Sequence, residues 1–212
     1  MLRRRVMMMA QKGGHEYVEI GGIKWATMNI GAESITDYGL YFQWGETNGY
    51  TRDQLIAGQF PTGWSNYKFN PSGDGETFTK YNSVDNKYQL DLEDDAANAA
   101  WGGNWRIPNT AEFYALRQAS NRSRTTIDGV SGFLYTDSED SSKTLFFPNA
   151  GEVEKKFWGN SYRNGTMSYW HSRRNVYNPE IGIYTSGTPW SYPENNETYR
   201  SSLLPIRAIL DE

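Results

Sequence analysis

The stretch WGGNWRIPNTAE, residues 101–112, decides the fold, because it carries a helix end, an extended piece and a helix start in quick succession. The pair Gly102–Gly103 stops the first helix, since glycine adopts the left-handed backbone of a helix C-terminus without strain. Trp105–Pro108 is expected to be a short extended piece. Asn109 or Thr110 then supplies an N-cap, whose side-chain oxygen accepts a backbone N–H of the second helix. The stretch therefore predicts a helix–strand–helix unit.

Two helices are predicted around this stretch. The first covers residues 90–101 (LDLEDDAANAAW), where acidic side chains come early, as the helix dipole favours, and Ala-rich turns follow. The second covers residue 111 to about residue 119, with Phe113 and Leu116 on one face. Both helices are short, as the 21 Gly and 8 Pro of the chain also indicate.

Short, mostly antiparallel strands are predicted over the rest of the chain. An N-terminal hairpin is expected from residues 17–20 and 23–28, because the Gly21–Gly22 pair between them permits the positive φ angles of a tight turn. The other extended segments are residues 37–44, 129–136, 144–147, 168–172, 181–185 and 204–209. Two helices among many short strands and long loops indicate an α+β fold.

The chain is expected to form a single domain over residues 15–212. Residues 1–14 are interpreted as a disordered N-terminal arm, because the apolar run after the basic start is too short for a signal peptide. Residues 45–88 (Gly, Asn, Pro, Thr and Tyr without period) are interpreted as a long surface loop insertion. The sequence leaves the export route and the oligomeric state open.

Composition excludes several classes of function. The net charge of −4 gives no field that attracts nucleic acid, and no apolar run is long enough to span a membrane. The absence of cysteine removes disulfides, thiolate zinc sites and cysteine nucleophiles. Two histidines cannot build a histidine metal cluster, and the chain carries no phosphate-binding or dinucleotide motif. We therefore expect no cofactor and no metal.

Seven short motifs occur in an order that resembles one bacterial family. They are W-x-x-x-N-I-G-A (residues 25–32), Y-G-x-Y-F-x-W-G-E (38–46), D-D-A-A (94–97), W-G-G-x-W-R-I-P-x-x-x-E (101–112), F-F-P-N-A-G (146–151), Y-W-x-S (169–172) and R-x-x-x-x-P-I-R-A-I (200–209). The family is the Fibrobacter-type major paralogous domain, which is common in Bacteroidetes. The resemblance covers about residues 17–210 and implies a C-type-lectin-like fold with paired N- and C-terminal strands.

The same core is similar to the variable proteins of diversity-generating retroelements. That resemblance implies that the last strands and loops carry hypervariable, ligand-contacting positions. Two residues depart from the usual pattern. His171 stands where these relatives usually have Ser, and Leu203 stands where they usually have Gly.

The tryptophans of the motifs are expected to pack the core rather than to stack against sugars. These framework residues are Trp25, Trp44, Trp101, Trp105 and Trp170.

Residues 160–200 stand out because they contain six Tyr, six Asn and five Ser, together with Arg and Trp but no Lys, Asp or Gln. Antibody paratopes have a similar composition, since Tyr and Trp give large rigid contact areas and Asn and Ser give adaptable hydrogen bonds. An ordinary Tyr-rich β-surface is the alternative interpretation. The residues predicted to contact a ligand are His171, Arg173, Arg174, Asn175, Tyr177, Tyr184, Trp190, Tyr192, Asn196 and Tyr199.

The sequence therefore predicts a non-enzymatic receptor-binding or adhesin module that recognises a protein or glycan ligand. Its expected place is a cell surface, the extracellular space or a virion, and the gene is a candidate for retroelement diversification. A structural subunit of a surface appendage is one alternative. A hydrolase that uses Glu93, Asp94 and Asp95 is another, although an acidic helix start explains these residues more simply.

Overall fold

The computed structural model describes residues 15–61, 63–64, 66–154, 161–163, 167–186 and 196–212. The predicted N-terminal arm, residues 1–14, lies outside the described residues. The described chain is a mixed structure with 34% strand and 13% helix, in several small antiparallel sheets. It has no helix in its described part that is long and apolar enough to cross a membrane.

In chain order the strands are β1 Tyr17–Ile20, β2 Ile23–Ala26, β3 Tyr41–Phe42, β4 Trp105–Arg106, β5 Ser120–Ile127, β6 Val130–Asp137, β7 Thr144–Pro148, β8 Glu152–Glu154, β9 Ser161–Arg163, β10 Ser168–Arg174, β11 Ile181–Ser186, β12 Asn196–Tyr199, β13 Leu204–Pro205 and β14 Ile209–Leu210. The helices are α1 Arg52–Ile56, α2 Ala96–Trp101 and α3 Thr110–Gln118, and Leu92–Asp94 forms a 3₁₀ turn. The described residues thus contain one α-helix more than predicted, because α1 lies inside the expected loop insertion.

The two ends of the described chain meet in a four-stranded sheet with the order β1-β2-β14-β4. Ile209 pairs with Trp25 on one side and with Arg106 on the other. The predicted hairpin is present, and its turn residues Gly21 and Gly22 have φ angles of 64° and 73°. The predicted pairing of N- and C-terminal strands is confirmed.

The first predicted helix is wrong in its N-terminal half, because Asp95 interrupts it. The Asp95 carboxylate accepts the backbone N–H groups of Ala97 and Asn98 at 2.8 and 3.1 Å, so the α-helix begins only after this N-cap. The other carboxylate oxygen accepts the N–H of Ile107 at 2.8 Å and ties the helix start to the stretch that follows β4. Gly102, at φ 66°, ends the helix as predicted.

The second predicted helix, α3, begins as the sequence indicates. Asn109 accepts the N–H groups of Ala111 and Glu112, and the Glu112 carboxylate accepts the Asn109 N–H at 2.6 Å. This reciprocal capping satisfies backbone donors that the helix itself leaves free. Phe113 and Leu116 are buried on one face, as expected.

Residues 45–88 do not form a surface insertion, although they contain little regular structure. Their aromatic side chains are buried in the largest core cluster: Trp64, Tyr67, Phe69, Phe78 and Tyr81. The Arg200 guanidinium inserts among these rings, 4.2 Å from the Phe78 centroid and 5.2 Å from that of Trp44. This region therefore contributes five of the eighteen buried residues of that cluster and anchors the C-terminal segment to it. The interpretation as a surface loop fails because periodicity does not reveal burial in an irregular segment.

A buried polar network joins residues from four of the sequence motifs. Arg207 donates hydrogen bonds to the carbonyls of Ala26, Thr27 and Phe146 and to Oδ1 of Asn29, at 2.9 to 3.1 Å. Asn29 in turn donates to the Tyr169 hydroxyl at 3.1 Å. Burial lowers the pKa of Arg207 to about 10, so its guanidinium keeps its charge at neutral pH. One side chain thus fixes three distant parts of the chain.

We predict that Arg207→Lys lowers the free energy of unfolding by about 3 kcal/mol or more, as measured by urea denaturation. An ammonium keeps the charge but cannot reach four acceptors in the planar geometry of a guanidinium, which leaves buried carbonyls unpaired. Arg124→Lys is the matched control, because Arg124 lies on the exposed strand β5. A loss below about 1 kcal/mol for Arg207→Lys would contradict the assignment of Arg207 as the central anchor.

Candidate ligand-binding surface

The sheet β10-β11-β12 carries the described residues that were predicted to contact a ligand. Trp170 pairs with Tyr184, and Tyr184 pairs with Asn196, so these three side chains share one face of the sheet. Tyr184 and Tyr199 are half-buried and pack against the largest core cluster. Their contribution to a binding surface is therefore limited to their exposed edges.

The prediction that His171 contacts a ligand is wrong, because its side chain is 0% exposed. The imidazole stacks on Phe113 of α3, with ring centroids 4.6 Å apart, and its Nδ1 lies 2.9 Å from the Thr110 hydroxyl. Burial lowers the pKa of His171 to about 3, so the ring is neutral at physiological pH. His171 thus attaches helix α3 to strand β10 and belongs to the framework.

The prediction for Arg174 is also wrong, since this residue is 1% exposed. Its guanidinium donates to the carbonyls of Asn82, Lys87 and Asn175 at 2.6 to 2.9 Å, and it lies over the Tyr88 ring. These acceptors lie on two loops that are distant in sequence. Arg174 therefore holds the loop after β10 against the loop of residues 82–88.

Backbone hydrogen bonds strengthen this connection. Tyr88 accepts the N–H of Arg174, and Ser172 accepts the N–H of Leu90, both at 2.9 Å. The segment before the 3₁₀ turn thus runs beside β10 and forms a single β-bridge with it, between Gln89 and Arg173. Because both the backbone and Arg174 join the two loops, their relative position is fixed before any ligand arrives.

The exposed end of this unit is the hairpin tip, residues 173–178. Arg173 is exposed, and Tyr177 is 89% exposed, the largest fraction among the large hydrophobic and aromatic residues that the structure describes. Asn175 accepts the N–H groups of Tyr177 and Asn178 at 2.7 and 2.9 Å and donates to Glu197 at 2.5 Å. The backbone of the tip is therefore ordered by Asn175, while the Tyr177 ring faces solvent.

Two exposed valines were not predicted, one in the tip and one in the loop that Arg174 joins to it. Val84, in the loop of residues 82–88, is 88% exposed, and Val176 is 46% exposed. The sequence signal for Val84 is a single apolar residue in the polar turn NSVDN, where a core role is improbable. Val176 and Tyr177, which are adjacent in the chain, give the tip exposed apolar area.

The structure separates the predicted residues into groups. Arg173, Asn175 and Tyr177 lie at the hairpin tip, whereas Tyr184 and Asn196 pair near the opposite end of β11, where Asn196 donates to the Ser186 hydroxyl at 3.0 Å. The predictions for Trp190 and Tyr192 lie outside the described residues. The candidate surface is therefore centred on the tip.

The acidic cluster of Asp91, Glu93 and Asp94 converges on a lysine. The Lys80 ammonium lies 2.6 to 2.7 Å from a carboxylate oxygen of each of them, and Lys68 lies 2.7 Å from Asp94. Hydrogen bonds from Lys80 and Lys87 hold the pKa of Asp91 below its usual range. A carboxyl group in such surroundings stays ionised and cannot act as a general acid near neutral pH. The cluster is thus an ion-pair network in which an internal cation occupies the position of a metal.

The pKa of Asp95 is shifted in the opposite direction from that of Asp91. Burial raises the pKa of Asp95 to about 6, a value that a general acid would need. Both its oxygens, however, accept backbone N–H groups of the fold, as described above for the start of α2. Asp95 therefore acts as a buried helix cap rather than as a partner for the Asp91 cluster.

Millimolar calcium is expected to leave the unfolding temperature of the native chain unchanged within about 1 °C, because Lys80 lies between the three carboxylates and, with Lys68 and Lys87, balances their charge. Lys80→Met removes that cation and leaves the carboxylates to repel one another, so this variant should be destabilised and should regain stability when calcium is added. Thermal unfolding with calcium and with a chelator provides the measurement. Calcium-dependent stabilisation of the native chain would contradict the assignment.

The buried His171 predicts a specific pH dependence of stability. Its folded pKa of about 3 is below the ordinary value of 6.5, so its contribution is fully present above pH 6.5 and is lost as the pH falls from 6.5 towards 3. Over pH 6 to 4 this amounts to about 1 kcal/mol per pH unit. Urea unfolding of His171→Gln should lack this slope, whereas His15→Gln should retain most of it. Equal slopes in the native chain and in His171→Gln would show that His171 is accessible to protons in the folded state.

No family model, no curated protein and no solved structure matches the chain. The resemblance to the Fibrobacter-type family consequently remains a prediction that rests on the seven motifs.

Proposed function

We propose that the chain is a non-enzymatic binding module of C-type-lectin-like fold, which contacts a protein or glycan ligand with its hairpin tip. The observation that carries the proposal is the position of Tyr177. An aromatic side chain 89% exposed gains no packing energy in the free protein. It lies at the end of a loop that Arg174 and Asn175 hold in one conformation, so binding would cost little loop entropy.

The chemistry of the tip supports a macromolecular ligand. Tyr177 offers a rigid amphipathic ring, Arg173 offers a planar hydrogen-bonding cation, and Val176, which precedes Tyr177 in the chain, adds exposed apolar area. Residues of this kind dominate the energetics of protein interfaces, whereas a catalytic site needs converging titratable groups in a cleft. The described residues of the tip resemble a protein interface, and they do not bring titratable groups together in a cleft.

The framework supports the finer proposal of a C-type-lectin-like fold. The terminal strands pair, short helices flank the W-G-G-x-W-R-I-P stretch, and Asn29 and Arg207 of the first and last motifs meet in one buried network. A framework that depends on these internal contacts leaves the exposed side chains of Arg173 and Tyr177 open to change. On this basis we propose that such positions vary between sister copies, as in retroelement-diversified proteins, and that the module acts at a cell or virion surface.

The test compares Tyr177→Ala with Tyr114→Ala, which removes an exposed tyrosine from helix α3, away from the tip. Labelled chain is applied to a glycan array and to an array of extracellular proteins, and every ligand that binds is titrated. Tyr177→Ala should weaken binding at least about 10-fold without changing stability by more than about 0.5 kcal/mol, as is typical of an exposed hot spot. Tyr114→Ala should bind like the native chain.

Two results would contradict the proposal. Binding that survives Tyr177→Ala unchanged would place the ligand elsewhere on the molecule. Concentration-dependent polymerisation of the chain, with no ligand on either array, would favour a structural subunit of a surface appendage.

A further inference from the structure

A second candidate site lies outside the C-terminal segment, in a cleft of about 400 Å³ beside β3 and α1. Its polar lining consists of four side-chain amides and one carboxylate: Gln43, Asn48, Gln59, Asn66 and Glu46. Its remaining described lining is apolar or aromatic. A volume of this order falls in the range of small-molecule sites.

From this lining we propose that the cleft binds an uncharged sugar ring. Amides both donate and accept hydrogen bonds, which matches hydroxyl groups that also do both. Neither Lys nor Arg is among the described lining residues, and Glu46 contributes a negative charge, so a phosphate or carboxylate ligand would be repelled. Tyr50 and Phe60, with Pro61, supply the apolar surface that the C–H face of a pyranose requires.

The wall that contains Glu46 is held in place by the fold. Its carboxylate Oε1 accepts the backbone N–H of Lys68 at 2.8 Å, which orients the group while its other lone pairs remain able to accept hydroxyl donors. Tyr50 exchanges two backbone hydrogen bonds with Tyr41 of β3, at 2.8 and 2.9 Å. Burial raises the pKa of Tyr50, and the negative charge of Glu46 raises it further. The phenol therefore remains a hydrogen-bond donor at neutral pH.

The amide side chains of the cleft are also held in place by the fold. Gln43 is 3% exposed, and its side-chain nitrogen donates to the carbonyl of Ser201 at 3.0 Å, which holds the amide in one orientation. Gln59 is positioned by a backbone hydrogen bond to Gln54. The side chain of Gln54 is the N3 partner of Thr51 in the capping box that begins α1. Asn66 adopts φ 62°, a left-handed conformation that Asn tolerates better than most residues.

The aromatic part of the cleft is supported from behind. Tyr50 and Phe60 pack against a core cluster that includes Tyr41, Leu55 and Leu203. Rings supported in this way need not rearrange when a ligand stacks on them. The cleft therefore combines a fixed apolar platform with fixed amide and carboxylate groups, which is the arrangement that reduces the entropic cost of binding a small polar ligand.

This inference does not depend on the proposed function of the hairpin tip. The cleft is formed by residues 43–66, and none of the tip residues 173–178 lines it. The variant Tyr177→Ala should therefore leave sugar binding unchanged. A failure of either site can be recognised without the other.

In the experiment, the full chain is titrated with glucose, galactose, mannose and N-acetylglucosamine. Binding is monitored by NMR signals of both the sugar and the protein. Glucosamine and glucose 6-phosphate serve as cationic and anionic comparators. We expect at least one neutral sugar to bind with a dissociation constant in the millimolar range or below, and glucose 6-phosphate to bind at least about 10-fold more weakly than that sugar.

Variants locate the binding. Glu46→Gln preserves the shape of the side chain and an acceptor for the Lys68 N–H, so the fold should be retained while sugar affinity falls about 10-fold. Phe60→Ala removes the stacking ring and should reduce affinity by a similar factor. Glu139→Gln is the matched control, because Glu139 is an exposed carboxylate that lines a different cleft.

Three outcomes would overturn the proposal. One is that none of the four neutral sugars shows binding at concentrations up to about 100 mM, which is about 100-fold above a dissociation constant of 1 mM. A second is binding of glucosamine more than about 10-fold tighter than that of every neutral sugar, which would identify a cation site instead. The third is sugar binding that Glu46→Gln and Phe60→Ala leave unchanged.

Discussion

The structure depends on one buried cation, the guanidinium of Arg207. It has four neutral oxygen acceptors and lies over the Phe147 ring, 4.7 Å from its centroid. A buried guanidinium is costly when its donors lack acceptors, so satisfying the donors of Arg207 requires residues 26–29 and Phe146 to meet at the same point. Closure of the N-terminal hairpin against the last strand follows from that requirement.

Buried arginines have the same organising role elsewhere in the C-terminal segment. Arg200 enters a group of aromatic rings from residues 44–78, and Arg174 joins the loop of residues 82–88 to the end of β10. Basic and aromatic residues that resemble a paratope in composition thus divide into two functions. Those that point inwards shape the surface, and Tyr177, which points outwards, is available for contact.

Local rules predicted the parts of the fold whose stabilising contacts are close in sequence. The Gly21–Gly22 hairpin and the capping box of α3 are examples, since their partners lie within a few residues. The interruption of the first predicted helix at Asp95 was missed, because an acidic, Ala-rich run does not show which carboxylate caps the helix, and Asp95 is also held by the Ile107 N–H, twelve residues away. The burial of His171 and Arg174 could not be predicted either, because their partners belong to helix α3 and to the loop of residues 82–88. Composition identified the right segment, but only long-range contacts distinguish its inward from its outward side chains.

The most direct test is a protease-resistance selection on all single substitutions at the described positions between residues 168 and 209. We expect substitutions at His171, Arg174 and Arg207 to abolish resistance, because each removes buried hydrogen bonds or ring contacts. Substitutions at Arg173 and Tyr177 should be tolerated almost without loss. Equal sensitivity of Tyr177 and Arg174 would contradict the division of this segment into an internal framework and an exposed contact surface.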